Sequence, residues 1–333
     1  MANKSGRTIV LPVDASDHSE RAFNWYLSNL KQDGDRLSII SVVEPPKIPA
    51  SFFSPVVVSD EYKNDIEDAI KVAKETVKKY ESRCQAAGLK CSVTTETSDF
   101  GPGEKICEIA RKQNASGIVM GSRGLNIIRK TLLGSVSSYV VNHADVPVVV
   151  TPPGESKGQR LTRSKLVQQV NWEDKMSQKR FIFMSVDGSE HSDRAFDWYI
   201  KNMRKPGDKI GIVSVIEPPT FPATFMMMGP VVVPEEWNAE IQDSMDKSKL
   251  IAEKYEKKCQ ENGLEHQVLM DTACTIGGPG ETICQLAREN NASSIVLGSR
   301  GLNTVRRALI GSVSSYVLGH SPVPVVINPP KHE

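Results

Sequence analysis

Long apolar runs are missing from this chain. No stretch approaches the roughly 18 residues that a membrane-spanning helix requires, and a membrane partner is not expected. An excess of one charge is missing too, since 41 basic side chains stand against 40 acidic ones for a formal net charge of +1. No whole-protein field therefore favours nucleic acid or an anionic surface, and any charged ligand must be met locally. Cysteine is scarce, with six residues at 84, 91, 107, 259, 274 and 284, no C-x-x-C pair and no histidines at metal-ligand spacing. The six read as reduced, buried thiols of a cytoplasmic protein, and no metal site built from protein ligands is expected. Residues 1–7 are polar and lead straight into an apolar strand, which is not the pattern of a signal peptide. Neither G-x-x-x-x-G-K-[ST] nor G-x-G-x-x-G occurs, so the usual signatures of P-loop and dinucleotide enzymes are absent.

What is present is written twice. Val13-Asp14-Ala15-Ser16 returns as Val186-Asp187-Gly188-Ser189, and Arg21-Ala22-Phe23 returns at 194–196. Gly121-Ser122-Arg123-Gly124-Leu125-Asn126 returns as Gly298-Ser299-Arg300-Gly301-Leu302-Asn303, and Gly134 to Val140 returns unchanged as Gly311 to Val317. The displacement grows from 173 (14 to 187) to 177 (121 to 298). Copy two has thus gained residues near Met226 to Met228 and near Cys274, outside the apolar runs, where loops accept them. A chain of 333 residues suits two domains of about 150 residues each. The expected division is a first domain over 1–153, a polar linker over 154–178 and a second domain over 179–333.

Each copy opens with a nearly continuous apolar strand, at 8–13 and 180–186, as in a parallel sheet covered on both faces. A helix follows, with Ser16 or Asp17 as its cap and Ala22, Phe23 and Tyr26 on one face; copy two has Ala195, Phe196 and Tyr199. His18 and His191 fall in its first turn and are expected to face solvent. A strand at 37–43 (210–216) and a Pro-rich loop precede a long helix. Its apolar stripe is Tyr62, Ile66, Ile70, Ala73, Val77, Tyr80 and Cys84, matched by Trp237, Ile241, Met245, Ala252, Tyr255 and Cys259. A strand near 91–97, a helix from Glu104, a strand at 117–120 and a fifth at 146–150 complete the copy. This alternation predicts an α/β fold of tandem, doubly wound, five-stranded parallel sheets. Ligands of such sheets sit beyond the carboxyl ends of the strands at the switch point. Asp14 and Gly121, and their repeats Asp187 and Gly298, end the strands that would flank it.

The segment Gly121-x-x-Gly124-x9-Gly134-Ser135 and its repeat Gly298, Gly301, Gly311, Ser312 carry the chemistry. Two glycines let the backbone turn tightly after a strand. The third precedes a helix whose first amides, on Ser135, Val136 and Ser137 (Ser312, Val313 and Ser314), carry partial positive charge toward an anion. Ser135 and Ser137 add hydroxyls, and Arg123, Arg129 and Lys130 (Arg300, Arg306 and Arg307) add cations for a polyphosphate. The same glycines are also what ordinary turns use, carried along by duplication.

With this glycine pattern, the strand-end aspartate and the order of strands, the chain resembles the ATP-binding branch of the universal stress protein family, once per copy over nearly its whole length. The resemblance implies an adenine nucleotide alpha hydrolase-like fold with strand order 3-2-1-4-5. It further implies ATP or a related adenine nucleotide with Mg²⁺, met by Asp14, Val42, Gly121, Arg123, Gly124, Gly134 and Ser135. Asp187, Val215, Gly298, Arg300, Gly301, Gly311 and Ser312 do the same in copy two. Asp14 and Asp187 can also cap the first helix, which does not exclude the ligand. Ser41 and Ser214 depart from the family, standing where many members have histidine. Members also pair through the fifth strand, implying that the two copies pack on each other or that the chain forms a homodimer.

The expected function is a non-catalytic nucleotide-dependent switch in stress response or signalling. One alternative is slow ATP hydrolysis or phosphoryl transfer, although segments 121–138 and 298–315 hold no carboxylate to serve beside the phosphates. The other is a chaperone-like interaction protein that uses no nucleotide.

Overall fold

The computed structural model describes residues 6–45, 60–122, 133–154, 179–218, 235–273, 277–299 and 310–330. Copy one runs β1 (Thr8–Pro12), α1 (Asp17–Trp25), β2 (Arg36–Val43), α2 (Asp60–Ala86), β3 (Lys90–Thr97), α3 (Pro102–Lys112), β4 (Gly117–Gly121), α4 (Ser135–His143) and β5 (Val148–Thr151). Copy two repeats this as β6 (Phe181–Ser185), α5 (Glu190–Asn202), β7 (Lys209–Ile216), α6 (Glu235–Glu261), β8 (Glu265–Thr272), α7 (Gly278–Glu289), β9 (Ser294–Gly298), α8 (Ser312–His320) and β10 (Val325–Asn328). The chain divides into two compact units.

Parallel pairing gives the order β3-β2-β1-β4-β5 in copy one and β8-β7-β6-β9-β10 in copy two. This is the expected 3-2-1-4-5 order. Val10, Leu11, Ile39, Ile40, Ile118 and Val119 lose nearly all contact with water. That is why the central strands read as unbroken apolar runs: each face of the sheet carries helices, so both alternating sets of side chains are core.

The long helices obey the expected stripe over their second halves, where Ala73, Val77, Tyr80 and Cys84 are buried. In α6 the expectation needs one correction, because Met245 is 44% exposed and Ser248 takes the inward place. Ser248 shares a 2.6 Å hydrogen bond with Ser214 of β7. Positions 248 and 245 both lie on the face of Ala252, four and seven residues back, so packing against β7 rather than the helical period selects Ser248. A second correction falls on α3, which begins at Pro102 rather than Glu104. Gly101 at φ +101 turns the chain, and proline suits the first helical position.

At the amino end of each sheet lies an ion pair that nothing in the repeat pattern announced. Arg7 donates to both Asp35 oxygens at 2.8 Å and to Leu30 O, and the Tyr26 hydroxyl and Gln32 N–H also donate to Asp35. Arg180, Asp208, Tyr199 and Lys205 N–H repeat the arrangement in copy two. Burial next to these carboxylates pushes both tyrosine hydroxyls well above their ordinary range. With its bidentate arginine and further donors, each buried aspartate is fully hydrogen-bonded, the condition under which a buried charge is tolerated. The networks tie the start of the first strand to the end of the first helix, leaving the opposite rim for ligand chemistry.

Candidate functional site

Beyond β1 the chain must turn into α1, and Asp14 organises that turn. Its Oδ1 accepts from the Ser16 N–H (3.1 Å), the Ser16 hydroxyl (2.5 Å) and the Ser19 hydroxyl (2.6 Å), while its own N–H donates to Ser19 Oγ. Ser16 is the N-cap, accepting from Ser19 N–H. Asp187, Ser189 and Ser192 reproduce every one of these bonds. The aspartate therefore buttresses the cap through one oxygen and presents the other, Oδ2, with none of these bonds.

Register brings the other elements to the same height. In copy one Val10 is paired with Ser38 of β2 and with Ile118 of β4. Continued at the same offset past the strand ends, these pairings set Asp14 abreast of Val42 and Ser122. In copy two Ile182 pairs with Ile210 and Ser294, which sets Asp187 abreast of Val215 and Ser299. Val42 and Val215 are half-buried near the ends of β2 and β7.

Ser122 and Ser299 are the residues that sequence reasoning passed over. They are 4% and 2% exposed, and their hydroxyls find no hydrogen-bond partner among the described residues. A buried hydroxyl left without any partner costs on the order of 1–3 kcal/mol, so a group that supplied one would be favoured at both of these equivalent places. The available signal was position: each follows the last residue of a strand whose end is a rim.

Around these serines the backbone is closed. Ser122 N–H donates to Thr151 O, and Gly134 N–H donates to Ser122 O at 2.8 Å, as do Ser299 to Asn328 and Gly311 to Ser299. Gly134 and Gly311 cap α4 and α8 from extended backbone, φ −65 and −64, and neither cap supplies a side-chain hydrogen bond. The first amides of α4, on Ser135, Val136 and Ser137, accordingly have no side-chain cap, in contrast to those of α1. Ser137 is itself buried, its hydroxyl donating to Ser122 O and lying 3.2 Å from Gly121 O; Ser314 donates to Gly298 O. These two hydroxyls hold the helix end to the strand end. A cleft of ≈ 520 Å³ in copy two is lined by Ser312, Val313 and Tyr316 of α8 and by Gly277, Pro279, Gly280 and Glu281 at the start of α7, and Asp187 is not part of its wall.

Gly121 and Gly298 have a packing reason to be glycine. A Cβ on Gly121 would lie 2.6 Å from His18 Cβ, and one on Gly298 would lie 2.6 Å from His191 Cβ. The expectation that these histidines face solvent is therefore corrected: His18 is 5% exposed and His191 half-buried, each pressed on a strand end. Arg21 and Arg194 lie 2.7 and 2.6 Å from their Nδ1 atoms. Arg123, Gly124, Arg300 and Gly301, with Arg129, Lys130, Arg306 and Arg307, lie outside the described residues. Among the described residues no cluster of three or more His, Cys, Asp or Glu could hold a metal ion.

A doubly wound parallel sheet, duplicated, each copy with a buttressed aspartate after its first strand and a helix without a side-chain cap after its fourth, defines a class of tandem α/β proteins. Residues 6–152 and 181–329 each match the Universal stress protein family, and the chain belongs to that family. It is 31% identical over 147 residues to the universal stress protein YxiE of Bacillus subtilis, which covers 44% of this chain and 96% of that protein. It is 30% identical over 151 residues to a putative universal stress protein of Staphylococcus aureus, covering 44% and 81%. The crystal structure of a universal stress protein from Archaeoglobus fulgidus superposes with a TM-score of 0.58 at 23% identity, covering 97% of this chain and 96% of that one; this likeness is one of fold.

Proposed function

We propose that each copy binds an adenine nucleotide, ATP or a close relative, and that the chain works as a non-catalytic switch in stress response or signalling. The observation that carries this reading is the duplicated aspartate. Asp14 and Asp187 are locked by three hydrogen bonds on Oδ1 and keep Oδ2 available, as a fixed acceptor for a ribose hydroxyl or an adenine amine requires. The orphaned hydroxyls of Ser122 and Ser299 fit a ligand that supplies their missing partner. The uncapped amides of α4 and α8 suit phosphate oxygens. Val42 and Val215 offer backbone groups at the same height. A magnesium ion would be held mainly by the phosphates, with at most the one open aspartate oxygen from the protein, which is the usual economy of Mg²⁺ in nucleotide sites.

The nucleotide acts as a switch if it binds one arrangement of the rim loops better than another. The two copies are further proposed to pack on each other through their fifth strands, whose apolar edges need covering.

Calorimetric titration of the chain with ATP and Mg²⁺ tests the binding, beside Gly134→Val and Gly311→Val. Valine is at ease in the extended backbone found at both positions, so the variants should fold and lose close phosphate approach at one site each. The expected result is saturable binding that drops by about one site per substitution. A folded chain that binds no nucleotide overturns the reading.

A further inference from the structure

The two copies differ at the rim position that precedes their third helix. Aligned on Gly103 and Gly280, Phe100 of copy one corresponds to Gly277 of copy two. Phe100 is 86% exposed, and the nearby Glu104 is exposed as well. In copy two Gly277 is the N-cap of α7 at an ordinary φ of −79, and the equivalent carboxylate, Glu281, folds back so that its Oε2 accepts from the Gly277 N–H at 3.1 Å. Glu281 is half-buried there, and its Oε1 has no hydrogen bond among the described residues. A Cβ on Gly277 would lie 2.6 Å from Glu281 Oε2 and 3.0 Å from the Tyr316 hydroxyl oxygen, so a side chain at this position would push the carboxylate away. Tyr316 is held in place too. It lies against Gly280, where an added Cβ would come within 2.7 Å of its own, and its ring stacks on His320 with centroids 4.0 Å apart. Glu281 and Tyr316 are therefore fixed features of the cleft, whose wall also includes Ser312 and Val313 at the start of α8.

We propose that this cleft is a sugar subsite, and that copy two takes a nucleoside diphosphate whose terminal phosphate carries a polyol. The inference rests on the nucleotide reading above and names the ligand of one of its two sites. The wall includes Ser312 and Val313, whose amides would meet phosphate oxygens, and excludes Asp187, the acceptor for the nucleoside. A bound nucleotide therefore meets the cleft by its phosphate end, and a group attached beyond the phosphates is what fills it. At ≈ 520 Å³ the space falls in the range of about 300–1,000 Å³ usual for small-molecule sites. The chemistry of the wall selects the group. An ionised carboxylate only accepts hydrogen bonds, so Glu281 calls for donors, and it repels a further phosphate. Sugar hydroxyls are such donors, and the apolar face of a sugar ring suits Pro279 and the body of Tyr316, whose hydroxyl is a second polar contact. In copy one the carboxylate of Glu104 is exposed and Phe100 stands in place of the glycine, so that copy is not built for the added sugar.

Calorimetric titration of the full chain with ADP, ADP-glucose and ADP-ribose tests the subsite, using Gly134→Val to close copy one and, separately, Gly311→Val to close copy two. With copy two open, at least one sugar nucleotide should bind about tenfold or more tightly than ADP, the worth of a hydrogen bond to a charged group. With only copy one open, the three ligands should bind alike. Gly277→Phe, which installs the residue of copy one, and Glu281→Ala should each remove the preference for the sugar nucleotide. If copy two binds ADP but neither sugar nucleotide more tightly, or if the preference survives in both variants, the subsite is wrong and the nucleotide reading stands. If copy two binds none of the three, both fall. The comparison of ADP with the sugar nucleotides at the native cleft decides this whether or not the two cleft variants fold.

Discussion

Asp14 shows how one side chain can be structural and functional through different atoms. Its Oδ1 braces the helix cap, and its Oδ2 takes part in none of those bonds. Asp14→Asn keeps an acceptor for the Ser16 and Ser19 donors but converts the open oxygen into an amide donor. Unfolding in urea should change by no more than about 1 kcal/mol, whereas ATP affinity at copy one should fall by about 1.5–3 kcal/mol, the usual worth of a hydrogen bond to a charged group. A large loss of stability with unchanged ATP affinity would return the aspartate to the cap alone. The sequence placed Asp14 at the strand end but could not divide its oxygens between two tasks. Nor did it mark Ser122, whose buried hydroxyl finds no partner among the described residues.

At the scale of elements, the glycines of one motif separate by cause. Gly121 lets α1 lie on the end of β4, because a Cβ there meets His18 Cβ at 2.6 Å and His18 backbone at 2.9 Å. Gly134 sits in extended backbone and starts an uncapped helix. Gly121→Ala should accordingly lower stability by about 1–3 kcal/mol, the usual range for overpacking, and ATP titration of the folded fraction should show a weakened site only as far as α1 is displaced. Gly134→Val should leave the thermal midpoint nearly unchanged. Equal destabilisation by both would contradict the distinction. In sequence the glycines look alike, and only the helix packed over one of them tells them apart.

For the whole molecule, duplication is the main fact. Each copy contains its own five-stranded sheet and its own ion pair at the amino end of the first strand, and each should bury its own core. The proposed pairing of the copies predicts that small-angle scattering gives one compact particle and that short crosslinkers join 1–153 to 179–333 at high yield in dilute solution. Two separated bodies, with crosslinks rising only with protein concentration, would rule the intramolecular pair out.

By itself the sequence determined the duplication, the α/β class and most strand positions. Repeats and apolar periodicity are local properties of the chain, and a strand buried on both faces announces itself as an unbroken apolar run. It also located the rim, because strand ends are places where apolar residues give way to Asp14 and Gly121. Only the tertiary structure decided that Ser248 rather than Met245 turns inward, that His18 is buried and that the Ser122 hydroxyl finds no partner among the described residues. Each of these depends on which side chain faces which neighbour across elements far apart in the chain, and that is settled by packing and register rather than by any residue's own preference.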